Sequence, residues 1–175
     1  MKKDELELEV RQLLQSTNLG MLSTYSTEES EDKAAGFPFG SMVRFVIGCD
    51  DENKGQPILM LSRIAEHSKH IAQQNKVSLL VSAVSEEVSA EVSSEVSSED
   101  IQQTARLTLL GEMQKLDVDD PAIQHDAEIY FQQFPETREY FQLLDFDFYR
   151  LRITKGRYIG GFARAHWLKG AQFSC

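Results

Sequence analysis

The hydrophobic positions of the chain begin with a helical repeat and then change to short, strand-like runs. Leu6, Val10, Leu13 and Leu14 are spaced so that they share one face of a helix, and Asn18-Leu19-Gly20 supplies its end. Beyond this point, short apolar runs recur between clusters of Gly, Pro, Asp and Asn. Such a pattern is typical of β-strands joined by turns and loops.

Seven of these runs predict strands, and three stretches between them predict helices. The predicted strands are residues 20–25, 40–48, 57–61, 76–83, 105–113, 146–153 and a glycine-bent strand at 158–163. The predicted helices are residues 64–74 with Ser62 as the cap, 120–131 opened by Asp120-Pro121, and 136–144. Because no long helices alternate with the strands, the pattern predicts a mainly β, α+β fold with a closed antiparallel barrel.

One stretch departs from this pattern. Val84, Val88, Val92 and Val96 recur every four residues and are separated almost wholly by Ser and Glu. The repeat could form the stripe of a helix, but Val and Ser are poor helix formers. Acidic, serine-rich sequence without aromatic residues cannot bury enough apolar area to offset its ordering entropy. We therefore interpret residues 84–100 as a mobile or extended insertion within one domain that spans residues 1–175.

The net charge limits the classes of molecule that the protein could bind, and the cysteine content indicates its cellular compartment. The formal net charge of −10 argues against general binding to nucleic acid or to anionic membranes, both of which require basic surfaces. The apolar runs are too short to span a membrane, and the first residues lack the apolar core of a signal peptide. The two cysteines, Cys49 and Cys175, fit reduced thiols better than a disulfide framework. The sequence therefore predicts a cytoplasmic protein.

The junction between the predicted strand 57–61 and the following helix carries a cluster of hydrogen-bond donors. Ser62, His67, Ser68 and Lys69 lie where free backbone N–H groups of a helix start would add to them, which suits an anionic ligand such as a phosphate. The alternative is an ordinary solvated helix start. His67 and His70 share a helix face at three-residue spacing, but no third ligand follows at a spacing typical of a zinc site.

A second candidate site lies near the C-terminal end of the sequence. His166 is followed by Trp167 and stands close to Arg157 and Arg164, so its imidazole could ligate haem iron. The alternative is a partly exposed histidine with no ligand. The sequence contains no phosphate-binding Walker loop, dinucleotide-binding glycine motif, serine-nucleophile elbow or CxxC pair, which leaves those activities unsupported.

Six blocks of sequence, in order, resemble a known superfamily. They are residues 20–24 with 36–43, 62–68 with 78–81, 105–111, 130–140 with its Phe134-Pro135-Glu136 centre, 145–146, and 158–165. Together they resemble the pyridoxamine 5′-phosphate oxidase-like split-barrel proteins, and more closely the haem-utilisation (HugZ-type) branch. The resemblance covers nearly the whole chain apart from the valine-serine insertion.

This resemblance implies a split β-barrel homodimer with flavin mononucleotide (FMN) or haem bound at the subunit interface. In flavin-binding relatives the strand that corresponds to Ser41 passes the flavin ring, and the loop that corresponds to residues 62–69 holds the phosphate. Ser41 stands where the oxidases place an arginine, and the phosphate-binding run is also altered. These departures argue against oxidation of pyridoxamine phosphate itself. Haem-degrading relatives use a histidine near the C-terminus as axial ligand, and His166 is the matching candidate.

Three hypotheses for function follow from the sequence and the resemblance. The first is an FMN-dependent oxidoreductase in which Ser62, His67, Ser68 and Lys69 contact the phosphate. Its flavin ring would lie against the main chain at Ser41, Met42 and Val43, with Thr24 nearby. The second is a haem-binding or haem-degrading protein with His166 on the iron. The third is a dimeric binding module without catalysis.

Overall fold

The structure is a computed structural model, and it describes residues 3–27, 33–48, 55–82, 104–117, 119, 121–161 and 164–173. The elements in chain order are α1 (Lys3–Ser16), β1 (Leu19–Tyr25), β2 (Pro38–Arg44), β3 (Val46–Ile47), β4 (Pro57–Ser62), α2 (Glu66–Gln73), β5 (Lys76–Ser82), β6 (Arg106–Lys115), α3 (Pro121–Gln133), α4 (Thr137–Leu143), β7 (Phe146–Ile159) and β8 (Ala165–Lys169), which is followed by a 3₁₀ turn at Gly170–Gln172. The predicted insertion at 84–100 and both cysteines lie outside the described residues.

The strands form one antiparallel sheet in the order β2-β1-β5-β6-β7-β4-β3, and β8 pairs with β7 beside this path. Each strand pairing is antiparallel. β2 contacts β4 although several strands separate them in the order, so the sheet curls toward a barrel. The mainly β, α+β antiparallel fold predicted from the sequence is confirmed.

The inner face of the sheet is filled by α1. The four apolar residues that predicted this helix are all buried, and they pack against alternate residues of the strands. The strand residues of this inner core include Leu22, Val43, Leu79, Leu107, Leu109, Leu151, Tyr158 and Leu168. Strand alternation then places the residues next to them in sequence on the outer face.

Among the described elements, helices cover the outer face at one end only. There α3 and α4 pack over β3, β4 and the first half of β7 in an aromatic cluster that contains Tyr130, Phe131 and Phe148. A buried ion pair between Arg150 of β7 and Asp126 of α3 also ties this layer to the sheet. Across β2, β1, β5, β6, the second half of β7 and β8, large outer side chains such as Met21, Met42 and Trp167 are exposed. We call this outer surface the open face.

A β-bulge in β7 fixes which side chains point to the open face. Leu110 pairs with Lys155 and the next residue, Gly111, pairs with Ile153, so Thr154 is an extra residue in the ladder. One extra residue exchanges the two faces of a strand from that point onward. Lys155 and Arg157 therefore point outward, and Tyr158 points inward to the core.

Three sequence predictions require correction. The segments 146–153 and 158–163 were predicted as separate strands, but β7 runs without a break from Phe146 to Ile159. The residues between the two predicted strands contain the bulge at Thr154, and a Cβ at Gly156 would lie 2.5 Å from the Phe173 ring. β8 was not predicted. Helix α2 begins after Ala65 with no side-chain cap, so Ser62 is not its cap.

No helix in the described part of the chain is long and apolar enough to cross a membrane. The cytoplasmic location predicted from the sequence stays a prediction.

We expect the bulge to depend on Gly111. A methyl group at this position would collide with the backbone carbonyl of Arg152 in the paired strand, so Gly111→Ala should lower the free energy of unfolding by about 2 kcal/mol or more. Gly40→Ala is the matched control, because its methyl group would meet only the flexible side chain of Met21, at 3.5 Å. Urea unfolding measures both variants, and equal stabilities would contradict the role of Gly111.

Candidate functional site

Two histidine–hydroxyl pairs join α2 to the inner face of β1 and β2. Nδ1 of His67 lies 3.1 Å from Oγ of Ser41, and Nδ1 of His70 lies 2.9 Å from Oγ1 of Thr24. His70 is fully buried and also meets the edge of the Phe39 ring, with ring centroids 5.4 Å apart. The structure thus brings together Thr24, Ser41 and His67, which the sequence had placed in one site.

The environment of His67 favours its neutral form. Burial lowers the pKa of His67 from its ordinary value of 6.5, and the nearby His70 lowers it further. Nε2 of His67 is buried and has no hydrogen-bond partner in the described part of the protein. A protonated ring would therefore bury an N–H donor that nothing accepts.

The donors predicted to bind a phosphate are engaged within the protein. The hydroxyl of Ser68 donates to the carbonyl of Ser62 at 2.7 Å, and Ser68 is buried. Nζ of Lys69 pairs with Oε1 of Glu66 at 2.8 Å on the surface of α2. An anion at this position would compete with these internal contacts.

Met42 and Val43, which the sequence placed beside a flavin ring, point to opposite faces of β2. Val43 is buried in the inner core, whereas Met42 is exposed on the open face. Thr24 and Ser41 share the inner side with Val43. The side chains of these residues therefore point to two sides of one sheet, and the predicted main-chain contacts with a flavin stay a prediction.

His166 lies in β8, directly across from Tyr158 of β7, and is half-buried on the inner side of the strand. The hydroxyl of Tyr158 donates to Oε2 of Glu9 at 3.0 Å, and Arg164 pairs with the same carboxylate at 3.3 Å. Burial, followed by the hydrogen bond to Glu9, raises the pKa of Tyr158 to about 12. His166 thus lies within a β-strand, whereas the sequence had indicated only a position near the C-terminal end.

Trp167 points the opposite way, to the open face, with two cations beside its ring. Nζ of Lys155 lies 5.5 Å and the guanidinium carbon of Arg157 lies 5.3 Å from the ring centroid, within the range of cation–π contact. Lys169 is the cross-strand partner of Lys155. We call Lys155, Arg157 and Lys169 the cation cluster.

The cation cluster has no acidic partner in the part of the chain that the structure describes. Among the described residues none of its three members forms an ion pair, although the chain has 28 acidic residues and only 18 Lys and Arg. By contrast, Arg44, Arg63, Arg138 and Arg150 each pair with a carboxylate. Adjacent like charges repel, so this position favours an anionic ligand.

Sequence reasoning named Arg157 and Lys169 as possible partners of haem propionates, but it missed Lys155 and the shared face because it broke β7 at residue 153 and did not extend a strand through 165–169. The sequence signal for these two strand segments was the alternation of Lys155 with Arg157 and of Trp167 with Lys169. A metal-ion site is not apparent, since the described residues include no group of three His, Cys, Asp or Glu side chains able to hold one.

The chain matches the family described as "CREG, beta-barrel" over residues 5–174. It is 32% identical over 166 residues to the chloroplastic heme oxygenase HOZ of Arabidopsis thaliana, a match that covers 95% of this chain and 43% of that protein. The chain thus spans less than half the length of this relative.

Two solved structures are also similar. A heme binding protein from Mycobacterium smegmatis superposes with a TM-score of 0.72 at 26% identity, over 95% of this chain and 59% of that one. A pyridoxinephosphate oxidase family protein from Clostridium acetobutylicum, related to general stress protein 26, superposes with a TM-score of 0.60 at 15% identity, over 99% of each chain. The second likeness concerns the fold alone.

The lowered pKa of His67 predicts that acid weakens the fold. Because the folded state disfavours the proton, the unfolded chain binds more protons once the pH falls below about 6.5. Stability present above that pH should therefore be lost as the pH falls toward 5. His67→Gln should reduce this loss, since a carboxamide can still pair with Ser41 and does not titrate. The control is His125→Gln, at an exposed site on α3. Urea unfolding at pH 7.5 and 5 measures the effect, and an unchanged pH dependence in His67→Gln would contradict it.

Proposed function

The chain belongs to the CREG β-barrel family, and from that premise we propose that it binds haem on the open face, over β6, β7 and β8. The observation that carries the proposal is the cation cluster beside Trp167, in a protein with an excess of acidic residues. The two relatives whose names refer to haem, at 32% and 26% identity, support the choice of ligand.

The residues of the open face fit the chemistry of haem. Its propionates are carboxylates, and Lys and Arg donate the charge-assisted hydrogen bonds that carboxylates accept. Trp167 is 58% exposed and offers an apolar ring surface against which a flat macrocycle could pack. Thr108, which is paired with Arg157, and Leu110, which is paired with Lys155, extend the face next to the cation cluster. Bound haem would supply an iron centre for redox chemistry, and these residues would bind and orient it.

The role of His166 as an axial ligand of haem stays a prediction. The geometry of β8 limits the direction from which the haem ring could approach this histidine. Its side chain and that of Trp167 are on opposite faces of β8, so one ring lying flat over Trp167 does not also meet His166. Within the described sheet β8 pairs only with β7. A ring ligated by His166 would therefore approach from the edge of β8.

The FMN hypothesis has support only at the level of the fold, from the likeness to a pyridoxinephosphate oxidase family protein. The Ser68 hydroxyl and the Lys69 ammonium that it requires are engaged with Ser62 and Glu66. For this reason we place haem first. The third hypothesis, a binding module without catalysis, differs from both in predicting that neither ligand binds.

We also propose that the protein is a homodimer that uses the open face. Met42, Met21 and Leu80 are cross-strand neighbours on β2, β1 and β5, and all three are exposed. We call them the apolar row. A row of large apolar side chains on an uncovered sheet gains stability when a symmetric copy buries it. A seam of this kind would border the cation cluster and enclose a ligand bound there.

Haem binding is tested by titrating the protein with haemin and following Soret absorbance together with the fluorescence of Trp167, the single tryptophan. We expect a Soret band and quenching of Trp167, because the ring would lie against the indole. The double variant Lys155→Ala/Arg157→Ala should bind haemin at least about tenfold more weakly, since each charge-assisted hydrogen bond contributes on the order of 1.5–3 kcal/mol.

The charge-matched control is Arg138→Ala/Lys69→Ala, which removes one Arg and one Lys outside the open face and should leave haemin affinity unchanged. The same proteins are titrated with FMN. FMN binding that only this control variant weakens would favour the flavin hypothesis instead. A Soret absorption that stays as broad as that of free haemin and does not shift on addition of the wild type would reject the haem proposal.

The dimer is tested with Leu80→Glu. A carboxylate in the apolar row would be buried without a partner in the seam, so sedimentation velocity should find a dimer for the wild type and a monomer for the variant. Leu8→Glu replaces a similarly exposed leucine on α1 and should remain a dimer. A monomeric wild type at micromolar concentration would reject the proposed seam.

A further inference from the structure

We propose that the site on the open face recognises the carboxylates and the flat ring of a porphyrin and not its metal, so that it binds metal-free protoporphyrin about as tightly as haem. This inference rests on the proposed haem function and adds to it the class of ligand, which is any flat tetrapyrrole that carries propionates. It follows from the set of side chains that β6, β7 and β8 direct to the open face.

The outer side chains of these strands form a regular grid of three strands by three rows. Arg157 pairs with Thr108 on one side and with Trp167 on the other, and this row is the middle of the grid. The rows on either side lie two residues away along each strand. The nine residues of the grid are Arg106, Thr108 and Leu110 of β6, Lys155, Arg157 and Ile159 of β7, and Ala165, Trp167 and Lys169 of β8. The spacings of strands and of residues along them give the grid an extent of about 10 Å by 14 Å, on which a flat macrocycle can lie.

The grid is strongly basic. Arg106 joins the three members of the cation cluster, and among the described residues none of these four cations forms an ion pair. None of the nine grid residues is acidic, and Glu112, the next outward residue of β6, lies one row outside the grid and across from Arg152. Ionised propionates accept charge-assisted hydrogen bonds from such cations. The carboxylates of a porphyrin therefore meet several donors here, whether or not the ring holds a metal.

The grid offers no side chain that could ligate iron. Proteins hold haem iron with His, Cys, Met or Tyr, and none of the nine grid residues is of these types. Tyr158 and His166 belong to the same strands but lie on the inner side of the sheet. Met21 and Met42 lie on β1 and β2, at least two strands beyond β6. A ring that lies over Trp167 is therefore held by its edge charges and its flat surface, and loss of the metal removes none of these contacts.

The experiment compares three probes: haemin, metal-free protoporphyrin IX and the dimethyl ester of protoporphyrin IX. The first pair differs only in the metal, and the second pair differs only in the two carboxylates. Dissociation constants are measured from quenching of Trp167, the single tryptophan, with all probes dispersed in the same low concentration of non-ionic detergent. The proteins are the wild type, Lys155→Ala/Arg157→Ala, His166→Ala and the charge-matched control Arg138→Ala/Lys69→Ala. The comparison of probes needs only the wild type, so it does not depend on the folding of any variant.

We expect haemin and protoporphyrin IX to bind the wild type with affinities within about threefold of each other, because no bond between protein and iron is lost. The dimethyl ester should bind at least about tenfold more weakly, since it cannot accept charge-assisted hydrogen bonds. Lys155→Ala/Arg157→Ala should weaken haemin and protoporphyrin IX by the same factor, and His166→Ala and the control should change neither affinity.

Two results would overturn the inference while leaving haem binding intact. One is protoporphyrin IX that binds the wild type about tenfold or more weakly than haemin, which would show that the protein holds the iron. If His166→Ala then weakens haemin alone, His166 is that ligand. The other is a dimethyl ester that binds as tightly as protoporphyrin IX, which would exclude recognition of the carboxylates. Failure of the wild type to bind haemin and protoporphyrin IX would reject the proposed function itself, which is a separate outcome.

Discussion

The single extra residue at Thr154 of β7 is the constraint on which the rest of the structure depends. β7 pairs with β4 and β6 and, after the bulge, with β8, so a change in its register affects three partner strands. Before the bulge, Arg150 points outward beneath α3. After it, Arg157 points outward and Tyr158 points inward to the helix α1. If β7 kept strict alternation through Thr154, Tyr158 would point to the open face and Lys155 and Arg157 would point into the apolar core. The bulge therefore serves both the packing of the core and the chemistry of the open face.

The distribution of helices determines where a ligand can bind. α1 fills the inside of the curled sheet, and α3 and α4 cover the outer side of β4 with aromatic residues. The inner face is therefore occupied, and its polar groups near α2 bond to one another, as in the pairs of His67 with Ser41 and His70 with Thr24. The open face carries both large exposed apolar groups and cations that form no ion pair with any described residue. In an acidic protein, this combination points to an amphipathic anion.

Sequence patterns predicted most of the elements because each depends on local spacing. The α1 stripe, the strands β1, β4, β5 and β6 and the helix after Pro121 follow from periodicity and from Gly or Pro boundaries. The bulge and β8 could not be predicted in this way. Thr154-Lys155-Gly156 has the composition of a turn, and only the pairing of these residues with β6 and β8 explains why a strand continues there. The contact of His67 with Ser41 joins residues 26 positions apart, and no local pattern encodes that distance.

Residues that are adjacent in sequence need not contact the same ligand, and the candidate site shows why. His166 and Trp167 are adjacent in the chain and together suggest a haem site, but a strand directs adjacent side chains to opposite faces. The same rule separates Met42 from Val43. Conversely, Arg157 and Trp167 are ten positions apart and lie in contact, because antiparallel pairing sets them side by side. Once the register is known, the groups available to one ligand are those of a single face. On that basis the basic and aromatic groups of the open face form one set, and the histidines form another.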